Sequence, residues 1–281
     1  MKDTKIYTLY SGSGGNSTFI KVGDTRILID AGKSARALCR SLCDVGEDIN
    51  DIDAIFITHE HSDHVSALEV LSKKHRIPIH ITEASAIPLE RLPAPALLDN
   101  LCCHEIGFCE QVGELKISSF RTPHDSRMSV GYRIEFEDGG CDHAIGFATD
   151  IGYVSDEIRK NLTGCRAVVI ESNHDVDMLM SGPYPRDLKL RVASKRGHLS
   201  NCECADFAIE LAESGMRSIL LAHLSKENNE PCLALNVTQR ALSGLGVEVV
   251  VAHPDEYREL KLFSKEDDEN VQREIYNPWN A

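Results

Sequence analysis

Residues 58–68 read THEHSDHVSAL and follow directly on the apolar run Ile52-Asp53-Ala54-Ile55-Phe56-Ile57. His59, His61, Asp63 and His64 thus place four metal-ligand side chains within six positions at the end of an expected strand. His59 and His61 lie two apart, where an extended or turning backbone aims alternate side chains to one side. Asp63 and His64 fall where a helix should begin, so their side chains diverge toward a different point. That arrangement suits two metal ions better than one. Neutral imidazoles with a carboxylate are the ligand set of zinc, and they also serve manganese or iron. A solvated polar loop accounts for one or two histidines, but not for His-x-His-x-Asp-His after a hydrophobic strand.

The rest of the chain narrows what such a cluster can do. With 281 residues, 42% of them hydrophobic, the chain can build a substantial core. The N-terminal MKDTKIYTLYSG has no apolar leader, and no run of eighteen apolar residues occurs, so a cytoplasmic protein without a membrane span is expected. The ten cysteines are read as reduced thiols. A second metal site at Cys102-Cys103-His104 with Cys109 is the weaker reading, because no Cys-x-x-Cys pair is present. A net charge of −14 argues against a generally basic nucleic-acid-binding surface, but not against a phosphate drawn in locally.

Short apolar runs recur at 5–10, 17–22, 25–30, 52–58, 77–82, 115–122, 130–137, 143–149, 167–172, 218–223 and 247–252. Helical spacings interrupt them, as at Val65-Leu68-Leu71 and along 204–214. The first half holds a strand series that the second half repeats. This pattern predicts an α/β protein with two sheets packed face to face and helices outside, a four-layer αβ/βα sandwich. One domain over 1–265 and a charged tail over 266–281 are expected, with Leu92-Pro93-Ala94-Pro95-Ala96 as a loop.

The His-x-His-x-Asp-His signature resembles the metallo-β-lactamase superfamily. The likeness runs from SGSGGNS at 11–17 to LLAHLSKENN at 220–229. It points to the phosphodiesterase and nuclease branches related to tRNase Z, and most to the small exonuclease-like hydrolases of the YycJ (WalJ) type. The resemblance implies further ligands: His124 in TPHDSRMSVGYRI, Asp150 in GFATDIGY as the carboxylate shared by two metals, and His223 in LLAHLSKEN. One ion would then be held by His59, His61, His124 and Asp150, and the other by Asp63, His64, Asp150 and His223. Each added ligand follows an apolar strand, so the residues themselves agree.

Charge counting over two divalent ions, Asp63, Asp150 and a hydroxide leaves about one positive charge, which favours an anionic ester. Asp63 can orient the attacking hydroxide. KRGHLSN at 195–201 resembles the tRNase Z loop and offers His198 as general acid, held by Glu171, or alternatively as a phosphate-binding residue at a helix start. His174 has no assigned role, and His75, His80, His104, His143 and His253 are read as surface or packing residues. The run RDLKLRVASKR at 186–196 is either a solvated helix face or a guide for a polyanion through Arg191, Lys195 and Arg196. SGSGGNS is either a tight turn or a phosphate-binding nest with Asn16 and Ser17.

No tRNA-gripping arm and no inserted second domain is visible. The expected substrate is therefore DNA ends or short oligonucleotides, cleaved from the 5′ end, rather than tRNA. A cyclic-phosphate phosphodiesterase is the alternative, and a non-catalytic regulator is disfavoured because every expected ligand is present. Fold alone also permits a β-lactamase or a thioester hydrolase.

Overall fold

The computed structural model describes residues 2–263; Met1 and the expected tail at 266–281 lie outside the described residues. Fourteen strands form two seven-stranded sheets among these residues. The first sheet contains β1 (Thr4–Tyr10), β2 (Ser17–Val22), β3 (Thr25–Ile29), β4 (Ala54–Phe56), β5 (Ile79–Thr82) and β6 (Leu101–His104). The second contains β7 (Cys109–Val112), β8 (Leu115–Arg121), β9 (Val130–Asp138), β10 (Cys141–Ala148), β11 (Ala167–Glu171), β12 (Ser218–Ala222) and β13 (Glu248–Val251). The last strand, β14 (Arg258–Glu259), returns to pair with β1 in the first sheet.

The two halves repeat one topology. β1–β2–β3 and β7–β8–β9–β10 are antiparallel, whereas β3–β4–β5–β6 and β10–β11–β12–β13 are parallel. Parallel neighbours need crossovers, and helices supply most of them. The first half uses α1 (Ala35–Asp44), α2 (Ser62–Val65), α3 (Leu68–His75), α4 (Glu83–Glu90) and α5 (Pro95–Leu98). The second uses α6 (Asp156–Leu162), α7 (Val176–Ser181), α8 (Arg186–Val192), α9 (Asn201–Glu213) and α10 (Pro231–Ala241). No helix among the described residues is long and apolar enough to cross a membrane.

Strand alternation sorts the apolar residues into three packed interfaces. Ile27, Ile29 and Phe56 face Ile117, Ile134 and Val169 between the sheets. Their neighbours Leu28 and Ile55 pack outward with Leu38, Leu68 and Leu89 of α1, α3 and α4. On the other side, Val168 and Ile170 pack with Ile158, Phe207 and Leu211 of α6 and α9. Each fully buried aliphatic side chain contributes about 1.5–3 kcal/mol, so these interfaces hold the four layers together.

Expected boundaries shift in two places. Pro95 opens α5 rather than lying inside a loop, since its fixed φ and missing N–H suit the first helical turn. Strands β6 and β7 fall in the cysteine-bearing stretch LCCHEIGFCEQV, whose polar residues hid them. The ten cysteines are all free and do not converge on a site. His80 and His104 instead form a hydrogen-bonded pair, Nδ1 to Nε2 at 3.0 Å, with rings coplanar to 4° and centroids 5.2 Å apart. Both nitrogens therefore point along one line at each other. Phe56 stacks on His80 and Phe108 on His104, and with Glu110, 3.5 Å from His104, the pair also forms a group that could hold an ion.

At the far end of the first sheet, the buried Glu47 accepts from Lys5 at 2.8 Å, Arg26 at 2.9 Å and Lys21 at 3.3 Å. Burial works against its charge, but the three cations outweigh it and lower its pKa from 4.5 to about 2. A depressed folded-state pKa means stability that is full above the unfolded value and lost as pH falls toward 2. Glu47→Gln should therefore cost on the order of 2 kcal/mol at neutral pH, after discounting for the partly exposed cations. The wild-type advantage should fade between about pH 5 and pH 2. Urea titrations at several pH values measure this, and a gap unchanged down to the acid end would refute it.

Candidate metal centre

The strands of both sheets bring four expected site residues, and with them Asp30, to one edge. Asp30 follows β3, His59 follows β4, Asp150 follows β10, Glu171 ends β11 and His223 follows β12. Three of these, Asp30, Asp150 and His223, have φ of 62°, 55° and 56°. Left-handed backbone is uncommon for residues with a Cβ and tends to cluster where a side chain must be aimed.

His61 caps α2 in extended conformation, so the chain turns between His61 and Asp63. His59 Nε2 and His61 Nδ1 stand 3.0 Å apart, as far as in the His80–His104 pair, but their ring centroids are only 4.5 Å apart. The two nitrogens thus converge on a third point rather than along one line. His124 completes this set of potential ligand atoms. Its Nδ1 donates to the Gly197 carbonyl at 3.2 Å, which leaves Nε2 to the centre.

Asp63, His64 and His223 form a second set. Asp63 Oδ2 lies 3.6 Å from His64 Nε2 and 3.9 Å from His223 Nε2. Asp150 stands between the sets, with Oδ1 3.7 Å from His124 Nε2 and Oδ2 3.4 Å from His64 Nε2. Asp150 Oδ2 and His223 Nε2 are buried without any hydrogen-bond partner. Buried polar atoms of this kind call for an explanation, and an ion between them supplies one.

Electrostatics point the same way. Burial disfavours a charged His64, yet the carboxylates of Asp30, Asp150 and Asp63 outweigh it and raise its pKa to about 9. Burial also opposes ionisation of Asp63, but His223 and His64 overcome it and bring its pKa to about 2. His59, in contrast, is pushed far down by burial and by the imidazoles around it. Asp30, Asp63 and Asp150 thus call for positive charge at the centre, which a divalent cation would supply.

Asp30 was not legible as a site residue. Its Oδ2 accepts from His64 Nδ1 at 2.8 Å and from Thr58 Oγ1 at 2.9 Å, while Oδ1 accepts from the Thr58 N–H at 2.8 Å. It thereby fixes the His64 tautomer and the strand exit that aims His59. Asp30→Asn should weaken metal binding about 10- to 100-fold with the fold retained. Chelator competition followed by circular dichroism checks this, and unchanged affinity would remove Asp30 from the centre's support.

Glu171 does more than expected. Its Oε1 accepts from His198 Nδ1 at 2.8 Å and also from His223 Nδ1 at 2.9 Å. Its Oε2 accepts from the N–H groups of Ile151 and Leu199 at 2.8 and 3.2 Å. Burial opposes its charge, but His198 and His223 hold its pKa far below the usual range. In return, Glu171 raises the pKa of His198 against the effect of burial. His174 is buried, lies outside the ligand sets and has an unpartnered Nδ1.

At residues 11–17 the two side chains offered as phosphate donors are both buried. Ser17 is buried and its hydroxyl donates to the Asp30 carbonyl at 2.9 Å, so it supports that turn. Asn16 is buried as well, with Nδ2 3.3 Å from Asp63 Oδ2 and 3.1 Å from His64 Nε2. Asn16 faces the potential ligands Asp63 and His64, and the segment makes a tight turn closed by Gly15 N–H to Gly12 O at 2.9 Å. The turn fits because Gly32 leaves room for it: a Cβ there would stand 1.5 Å from the Asp63 carbonyl oxygen.

The basic run divides. Arg191 at the end of α8 donates through Nε to Asp125 Oδ2 at 2.7 Å, so its charge is already partnered. Lys195 and Arg196 are exposed and form no ion pair among the described residues.

Over residues 25–223 the chain matches the family described as a β-lactamase superfamily domain. The chain belongs to this superfamily. It is 36% identical over 249 residues to exodeoxyribonuclease WalJ of Streptococcus pneumoniae, covering 87% of this chain and 91% of that protein. It is 33% identical over 241 residues to exodeoxyribonuclease YycJ of Bacillus anthracis, covering 86% and 90%. The metallo-β-lactamase fold protein YhfI of Bacillus subtilis superposes with a TM-score of 0.69 at 18% identity, over 92% of this chain and all of that one, which shows the fold. The superfamily fold implies divalent metal binding at the edge where the two ligand sets meet.

Proposed function

We propose that the protein is a phosphodiester hydrolase using two divalent metal ions, with zinc or manganese favoured over iron, and that it degrades DNA from an end. The observation that carries this reading is the Asp150 carboxylate standing between two three-residue ligand sets, with the Glu171-held His198 beside it. Superfamily membership makes the protein a metal-dependent hydrolase. Relatives named exodeoxyribonucleases, similar over most of both chains, support DNA over tRNA as substrate.

His59, His61, His124 and Asp150 would hold one ion, and Asp63, His64, Asp150 and His223 the other. When bound, such a pair offsets the charge on the phosphate oxygens and makes a water acidic enough to attack at neutral pH. Asp63, whose carboxyl pKa is held at about 2, would accept from that water and orient it toward phosphorus. His198 lines a cavity of ≈ 390 Å³ beside His223, where it can give a proton to the departing oxygen.

The test is to assay metal-loaded protein on end-labelled single- and double-stranded DNA and RNA, beside a chromogenic small diester. Stepwise shortening of DNA from one end supports the reading. Turnover of the small diester without shortening of any polymer would overturn the nuclease assignment in favour of a small-molecule phosphodiesterase.

A further inference from the structure

Two depressions meet at the centre, and the segment Lys195–His198 borders both. Gly197 and His198 line the cavity on the His223 side, whereas Lys195 and Arg196 line a wider cleft of ≈ 800 Å³ that opens at His124. Their charges differ. In the cavity Arg191 is spent on Asp125, and Lys226 stands beside Glu227, so cations and acids balance. The cleft carries Arg121, Arg127, Lys195 and Arg196 against Asp156 and Glu157. None of those four cations is ion-paired among the described residues, in a chain whose net charge is −14.

The cleft also has an aromatic wall. Tyr153 is 40% exposed, and the Lys195 ammonium lies over its ring at 5.8 Å from the centroid. An exposed ring next to unpaired cations is how single-stranded nucleic acid is held without sequence preference, with bases stacking and phosphates tracking the charges. The cleft is tied to the metal motif as well. Glu60, inside His-Glu-His, accepts from the Arg127 N–H at 2.8 Å and from Ser85 Oγ at 2.6 Å, which fixes one wall.

Resting on the nuclease reading, we propose a division of labour between the two depressions. The cleft at His124 carries the body of a single strand away from the centre, with Arg121, Arg127, Lys195 and Arg196 on its phosphates and Tyr153 under a base. The balanced cavity on the His223 side receives the piece that is released. The free energy of holding the polymer is thereby placed on one side of the scissile bond, which suits removal of short products from an end.

The experiment measures binding of a phosphorothioate single strand of about 12 nucleotides to the metal-loaded protein by fluorescence anisotropy over a range of salt. The double variant R121A/K195A should bind about tenfold more weakly, with the slope of log affinity against log salt reduced by about 1.4. Tyr153→Leu should lower affinity about 5- to 100-fold and leave the slope unchanged, because stacking releases no counterions. Lys116→Ala, at a pair with Glu135 on the opposite sheet edge, serves as the control with an unaltered slope. Wild-type slopes in R121A/K195A, or a flattening in Lys226→Ala as large as in Lys195→Ala, would overturn the path. Failure of the wild-type protein to shorten any oligonucleotide would instead sink the nuclease reading itself, so the two failures are distinguishable.

Discussion

Asp150→Asn is expected to lower phosphodiester turnover about a thousandfold or more and to cost the protein at least one of two bound metal equivalents. Asparagine is the informative replacement because Asp150 sits at φ 55°, a region that asparagine tolerates and alanine resists. The change keeps the shape and removes one negative charge from a carboxylate within 3.4 to 3.7 Å of His64, His124 and His223. Both ligand sets then lose the group they share. The alternative, one tightly held metal on His59, His61 and His124 with Asp150 as a bystander, predicts one equivalent in wild type and little change in the variant. Elemental analysis after gel filtration, with turnover on a small diester, separates the two. Full activity with a single metal would overturn the dinuclear assignment.

Much of this architecture was legible because its signals are local. Thr25–Ile29 and Ala167–Glu171 send successive side chains to different interfaces, so both faces are apolar and the strands show in sequence as short continuous apolar runs. His59, His61, Asp63 and His64 are contiguous, so their joint purpose shows before any folding is considered. Asp30 was not legible for the opposite reason. It is a lone acid after a strand, 34 residues before the His64 that it orients, and nothing local separates it from a turn aspartate. The sharing of Glu171 Oε1 between His198 and His223 also arises only when β11 and β12 pair in parallel. For Asn16 and Ser17 the sequence left two readings open, because a Gly-Ser-Asn turn looks alike whether its donors face solvent or buried acceptors. Arg121 and Arg127 escaped because they come from segments far in sequence from the 186–196 run that holds Lys195 and Arg196, and only the folded chain brings the four together.

His198→Ala should lower turnover of an ordinary diester about a hundredfold or more, and the loss should shrink on a nitrophenyl ester. The structure explains why His198, and not Glu171, is the residue to replace. Glu171 holds His198 and His223 through one oxygen, so Glu171→Gln would disturb a metal ligand and the proposed acid together. His198 belongs to neither the His59–His61–His124 set nor the Asp63–His64–His223 set, although it also lies in a group with Asp150, Glu171 and His223, so the metal content of His198→Ala is to be measured beside its turnover. Burial opposes a charge on His198, but Glu171, accepting from Nδ1, outweighs it and raises the pKa, which favours a ring able to donate from Nε2 to the leaving oxygen. An acid works only while protonated, so wild-type turnover of the ordinary diester should decline on the alkaline side, and that decline should be missing from the variant. A nitrophenolate departs without a proton and has little to lose. If His198 merely bound phosphate, both esters would suffer alike, since both carry the same charged oxygens. Equal losses on the two substrates, with the alkaline limb retained in the variant, would therefore reassign His198 from proton donor to phosphate contact.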